Sequence, residues 1–228
     1  MGEFAVTGYQ VLVYVHLLLF VFWLGADVGV FMLGQEFRRR QKYDLPVRLV
    51  QLQMLVNLDM VPRTAWALMV PVSITLGAAG QWWAVPGWLV GLSWVVGAGW
   101  LWLVWDAHLH DQTPRAVRNR RTELWLKIGL TVFYLWLGGA SLLSGEPIAP
   151  VWLALKALMF GLIFAAAIMI DVAFKPVGPL LGALIREGSS DATEIPLRRT
   201  MDRTRLWVWA VYLLLFITAF LGSAKPLP

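Results

Sequence analysis

Residues 6–34 read VTGYQVLVYVHLLLFVFWLGADVGVFMLG, from Val6 to Gly34. The run exceeds the roughly 20 apolar residues that cross a bilayer's hydrocarbon core as a helix. It must be helical there, because backbone N–H and C=O groups in lipid have to be satisfied within the segment. Glu3 precedes it, Arg38-Arg39-Arg40 follows it, and neither a basic leader nor a small-residue cleavage site accompanies it. It therefore reads as a retained span that enters from outside, not as a cleaved signal peptide.

Five further segments have spanning length, so the expected spans are roughly 8–34, 60–82, 87–105, 124–144, 151–173 and 204–222. A composition of 59% hydrophobic and 14% charged residues, with mean hydropathy +0.66, lies far from that of a soluble domain. The expected fold is all-α, a polytopic transmembrane six-helix bundle that forms one integral membrane domain over residues 1–228. Several of the 14 Trp (Trp82, Trp83, Trp88, Trp105, Trp125, Trp152, Trp207) fall at the ends of these runs, where amphipathic rings favour the headgroup level.

Basic residues cluster in three places: Arg38 to Arg63, Arg115 to Arg121, and Lys175 to Arg205. The positive-inside rule makes that side cytoplasmic and leaves both termini outside, as in a multi-pass protein of a bacterial-type inner membrane. The net charge of +5 is thus a topology signal. Nucleic-acid binding is excluded as a role, since the basic residues are spread over three short connections and not gathered on a folded basic domain. With no cysteine, thiolate metal sites and thiol redox chemistry are excluded too.

Between the first two spans, Leu45 to Leu58 (LPVRLVQLQMLVNL) alternates apolar and polar residues at helical spacing, as an amphipathic helix on the inner surface would. Gly188 to Ile195 (GSSDATEI) is polar and turn-rich and reads as the most flexible part. Gly25 and Gly29, Gly87 and Gly91, and Gly138-Gly139 have the spacing of close helix packing. Pro62 suggests an early start to the second span, and Pro71 a kink within it.

His16 is the one histidine of three inside a span, where an imidazole usually marks a ligand site, a proton path or an interhelical hydrogen bond. At 100° per residue it shares a stripe with Phe20, Trp23 and Asp27, and lies opposite Gly25. Its depth is about 12 Å from the outer surface, and Lys156 lies about 8 Å deep in the fifth span. Trp152, Met159, Phe160 and Ile163 extend the face of Lys156, so an aromatic pocket between spans one and five is expected. The alternative is that Lys156 snorkels outward and His16 bonds a backbone carbonyl.

A second polar belt, including Asp27, Asp59, Arg63, Asp106, Lys127 and Asp171, marks the inner ends of the spans. Arg63 could pair with Asp27 or Asp59 there, or clamp a carboxylate or propionate. In Trp105 to Asp111 (WDAHLHD) the two histidines point about 200° apart on a helix, so a solvated helix end is the expected reading. A bis-histidine haem is excluded because His108 and His110 lie at the opposite end from His16. Scattered methionines argue against copper transport.

Tyr14-Val15-His16 through Phe22-Trp23-Leu24-Gly25 resembles the "LH…W-x-G" opening helix of the copper resistance D family and the HemJ-type protoporphyrinogen oxidases. Trp152 to Phe160 (WLALKALMF) is similar to the "W-L-x-x-K-x-x-L" helix of the same group. The resemblance implies a helical bundle that holds haem b with His16 at the iron and Lys156 as the lysine of the site, exchanging electrons between a tetrapyrrole and quinone. Lys127, in Trp125-Leu126-Lys127, is the other position for that lysine. The expected cofactor-binding residues are then His16, Lys156, Trp23, Met159 and Arg63. Two other readings stand beside it: an accessory subunit packed among other membrane subunits or as a homo-oligomer, and a permease for metal or small solute that uses the inner aspartates.

Overall fold

The computed structural model describes residues 7–227; Glu3 and Val6 lie outside them. Among the described residues eight helices follow one another: α1 (Gly8–Phe37), α2 (Leu45–Leu58), α3 (Met60–Ala79), α4 (Gly87–Leu109), α5 (Pro114–Ser144), α6 (Val151–Phe174), α7 (Val177–Glu187) and α8 (Asp191–Ala224). No strand forms among the described residues; one isolated antiparallel bridge joins Trp83 to Ile148. Five helical stretches, α1, α4, α5, the run Val151–Glu187 and α8, are long and apolar enough to cross a membrane. The chain is a multi-pass helical membrane protein. Leu213, Phe216 and Phe220 on α8, and Leu17 and Val21 on α1, turn outward as a lipid-facing surface requires.

α3 differs from these five. Arg63, Thr64, Pro71 and Ser73 lower its apolar character, yet its residues are the most thoroughly buried of any helix. A helix sheathed by other helices needs no lipid-compatible surface of its own. α1 packs on α2 and α3, α3 on α4, α4 on α5, α5 on α6, and α6 on α8. α1 and α8 meet through side chains: Phe31 packs edge-on against Trp209, and the Tyr212 hydroxyl donates to the Asp27 carbonyl at 3.0 Å.

The closest helix contact is α5 on α6. A Cβ at Gly138 would collide with the Leu158 backbone, and one at Gly161 would come within 2.9 Å of the Leu135 nitrogen. Two glycines on facing helices thus let the backbones touch. Replacing Gly138 by alanine is expected to destabilise the protein by about 1–3 kcal/mol, because the contact is backbone and cannot rotate away. A thermal unfolding curve in detergent checks this, with Gly139→Ala, which faces open space, as the neutral control. The other small residues behave differently from expectation. Gly29 is close to Leu58, but Gly25, Gly87, Gly91 and Gly139 have nothing within 4 Å. Spacing alone does not say which glycines face a neighbour.

α2 has the limits read from the sequence, and its Leu45 and Leu52 pack against a second small core of Phe37 from α1, Val177 and Leu184 from α7 and Leu197 from α8. Arg48 is the pin of that layer. At 1% exposure it donates through Nε to the Phe37 carbonyl (2.6 Å) and through both terminal nitrogens to the Glu194 carboxylate (2.6 and 2.9 Å). The 188–195 stretch is accordingly not a loose loop. Ser190 caps α8 with a reciprocal capping box to Thr193, and Glu194 is buried against Arg48 and the Ser189 hydroxyl. Polar composition there reflects a helix cap and an ion pair.

Candidate functional site

α1, α3, α5, α6 and α8 surround a half-open cavity of about 290 Å³ at the end of the bundle where Trp82 and Trp83 leave α3. Its volume is near the lower limit for small-molecule sites. His16, Phe20 and Trp23 enter from α1, and Trp152, Lys156 and Phe160 from α6. The two helices face across the cavity and touch through Trp23 and Phe160, whose rings are in edge contact at 6.2 Å. His16 and Lys156 therefore share one site.

Three polar features mark this cavity. His16 Nδ1 is buried without a hydrogen-bond partner, so the imidazole does not bond a backbone carbonyl through that nitrogen. Tyr134 OH, from α5, is likewise buried and unpartnered, while Ser73 Oγ donates to the carbonyls of its own helix. Gly222 on α8 leaves the space that Lys156 Nζ fills, since a Cβ there would collide with the amine. Lys156 is thus directed along the cavity wall toward α8. Lys225 follows α8 and lies over the rings of Trp82 (4.6 Å) and Trp152 (5.3 Å). Among the described residues the charged groups of the lining are Lys156 and Lys225, and no acid is among them. Such a lining favours an apolar ligand that carries an anionic group.

Below it lies a column of packed rings. Trp23 stacks on Trp66 at 5.5 Å, and Trp66 meets Trp100 at 4.9 Å and Phe164 at 4.7 Å. The column ends on an ionic cluster in which Glu123 and Lys127 are buried while Arg63 and Asp171 are partly exposed. Lys127 Nζ bridges Glu123 (3.0 Å) and Asp171 (2.9 Å) and sits 5.6 Å from the Trp66 ring. Trp100 Nε1 donates to Glu123, and Arg63 binds Asp59 at 2.5 Å with Glu123 at 3.9 Å. Arg63 therefore belongs with Lys127 at the other end of the column and is not a cavity residue. It stands six positions before Met69, the first residue of α3 to line the cavity, or about 9 Å of rise. Of the expected site residues, His16, Lys156 and Trp23 line the cavity; Met159 does not, because Lys156 and Phe160 occupy the inward face of α6.

Asp27, in the same stripe as His16, lies two turns below Phe20 and does not line the cavity. Asp106 forms a third polar centre. It accepts from Arg115 Nε (2.7 Å) and Asn119 Nδ2 (2.6 Å), with His110 Nδ1 at 3.3 Å, and so ties the end of α4 to the start of α5. Asp59, Asp106 and Asp171 are each bound to a basic side chain, so the inner aspartates do not form a common acidic belt.

Tyr134, Lys225 and Glu123 were not singled out from the sequence. Glu123 stands four residues before Lys127, the spacing of a helical ion pair, and could have been found from it. Lys225 and Tyr134 carry no local signal. No protein-family model, no curated protein and no solved structure matches the chain.

Proposed function

We propose that the chain is a haem-b-binding redox protein of a bacterial-type inner membrane, exchanging electrons between a tetrapyrrole and quinone. The observation that carries this reading is one cavity lined by the unpartnered His16 Nδ1, by Lys156 and by aromatic rings, with lysines as its charged lining among the described residues. The donor set fits a haem: an imidazole nitrogen free to bind iron, a primary amine in the same lining, and cations for propionates. Bound haem would supply one-electron exchange at its iron. His16 would hold the iron, Lys156 would act as second donor or counter-charge, and Lys225 would hold a carboxylate at the mouth. Trp23, Phe160 and Tyr134 would pack the ring and keep water out.

α3 serves as a sixth crossing in this reading. Its 20 residues rise about 30 Å, and it runs from the Arg63 cluster to the Trp82 end of the cavity. The three basic segments then lie on the cytoplasmic side and both termini outside. The test is the absorption spectrum of protein purified in detergent from haem-replete cells. A Soret band that disappears in His16→Ala is expected. A colourless wild-type preparation would overturn the reading in favour of an accessory subunit.

A further inference from the structure

At the opposite end of the bundle from the cavity, the segment after α1 and the first turns of α8 enclose a groove of about 540 Å³. Arg38, Arg39, Arg40, Lys42 and Arg198 line it, against Asp191 and Glu194. Glu194 is already neutralised by the bidentate Arg48, which reaches it from α2. Asp191 is exposed and holds Arg40 alone. Arg39 and Lys42 share Glu36, and Arg38 splits its terminal nitrogens between Gln35 and Asp202. Arg38 Nε is left buried without a partner, and Arg198 has no acid within 4 Å among the described residues. Basic charge is thus in excess over acid in a concave site whose acids are already engaged.

We infer that this groove binds a phosphate-bearing anion. One arginine satisfies a carboxylate, whereas several converging guanidinium groups suit an anion with three or more peripheral oxygens. The N-terminal end of α8, a 34-residue helix, forms one wall and adds the positive end of its dipole. The outward face of α1 just before the groove carries exposed Val28 and Met32. An acyl chain could lie on that face with its headgroup in the groove, which makes an anionic phospholipid the first source and a free phosphate compound the second.

The test uses the full chain in mild detergent, with phosphatidylglycerol and phosphatidylcholine as paired probes and native mass spectrometry as the readout. Preferential retention of phosphatidylglycerol is expected, reduced roughly tenfold or more in the double variant Arg39→Gln, Arg198→Gln. Both side chains are exposed and outside the cores, so the variant should fold, and a melting curve verifies it. Arg118→Gln, Arg121→Gln removes the same charge from the first turns of α5 and should change retention less than about twofold. Displacement of the lipid by millimolar inorganic phosphate identifies a free phosphate compound as occupant; retention against it identifies the lipid. Equal loss in the two double variants, or no preference for phosphatidylglycerol, overturns the inference. None of these outcomes depends on haem.

Discussion

Replacing Arg48 by alanine is expected to lower the stability of the folded chain by about 3–5 kcal/mol, the cost of leaving one partner of a buried ion pair behind. Arg48 fills the contact between α2, the end of α1 and the start of α8, and supplies three charge-assisted hydrogen bonds. Its loss strands the Glu194 carboxylate in a layer built from Phe37, Leu184 and Leu197, and also the Phe37 carbonyl. Unfolding in detergent, followed by helical signal, reads the loss. The double variant Arg48→Met, Glu194→Leu should recover most of it, since an apolar pair removes both the charge and its need for a partner. A loss below about 1 kcal/mol in Arg48→Ala would mean that water or lipid headgroups reach Glu194, as at a surface pair.

A similar effect is expected for Lys127→Met at the inner end of the aromatic column. Lys127 is 4% exposed and links Glu123 on its own helix to the partly exposed Asp171 on α6, so its removal leaves the buried Glu123 carboxylate without its amine. Arg63 at 3.9 Å from Glu123 is too engaged with Asp59 to replace it. The expected cost is again about 3–5 kcal/mol. Adding Glu123→Gln to the variant should restore a large part of it by removing the stranded charge while keeping an acceptor for Trp100 Nε1. Equal stability of the single and double variants would contradict this assignment of Glu123.

The helices were legible where the membrane imposes them. Apolar runs located α1, α4, α6 and α8, and helical alternation located α2 with both its limits. What hydropathy cannot show is how far a helix continues into water. α4 runs to Leu109, α5 begins at Pro114, and α8 begins at Asp191, because charged residues extend a helix as readily as apolar ones once they leave lipid. α7 was missed because it is too short to span, and the 188–195 segment was misread because a capping box and a flexible loop have the same composition. At the site, depth along the helices was enough to bring His16 and Lys156 together. Depth could not separate Met159 from Phe160, since that needs the rotation of α6, nor place Lys225, which depends on where the chain leaves α8. Arg63 and Lys127 were readable as residues near span ends, but their joint attachment to Glu123 is a tertiary fact.

The most direct measurement for the cavity is a titration of purified, haem-free protein with haemin, following the Soret band and the quenching of tryptophan fluorescence. Trp23, Trp82, Trp83 and Trp152 line the site, so quenching should track binding. The expected result is saturation at one haemin per chain, lost in His16→Ala and retained in Arg63→Gln, whose side chain belongs to the inner cluster. Unsaturating, linear uptake by the wild type, or equal binding by wild type and His16→Ala, would contradict it.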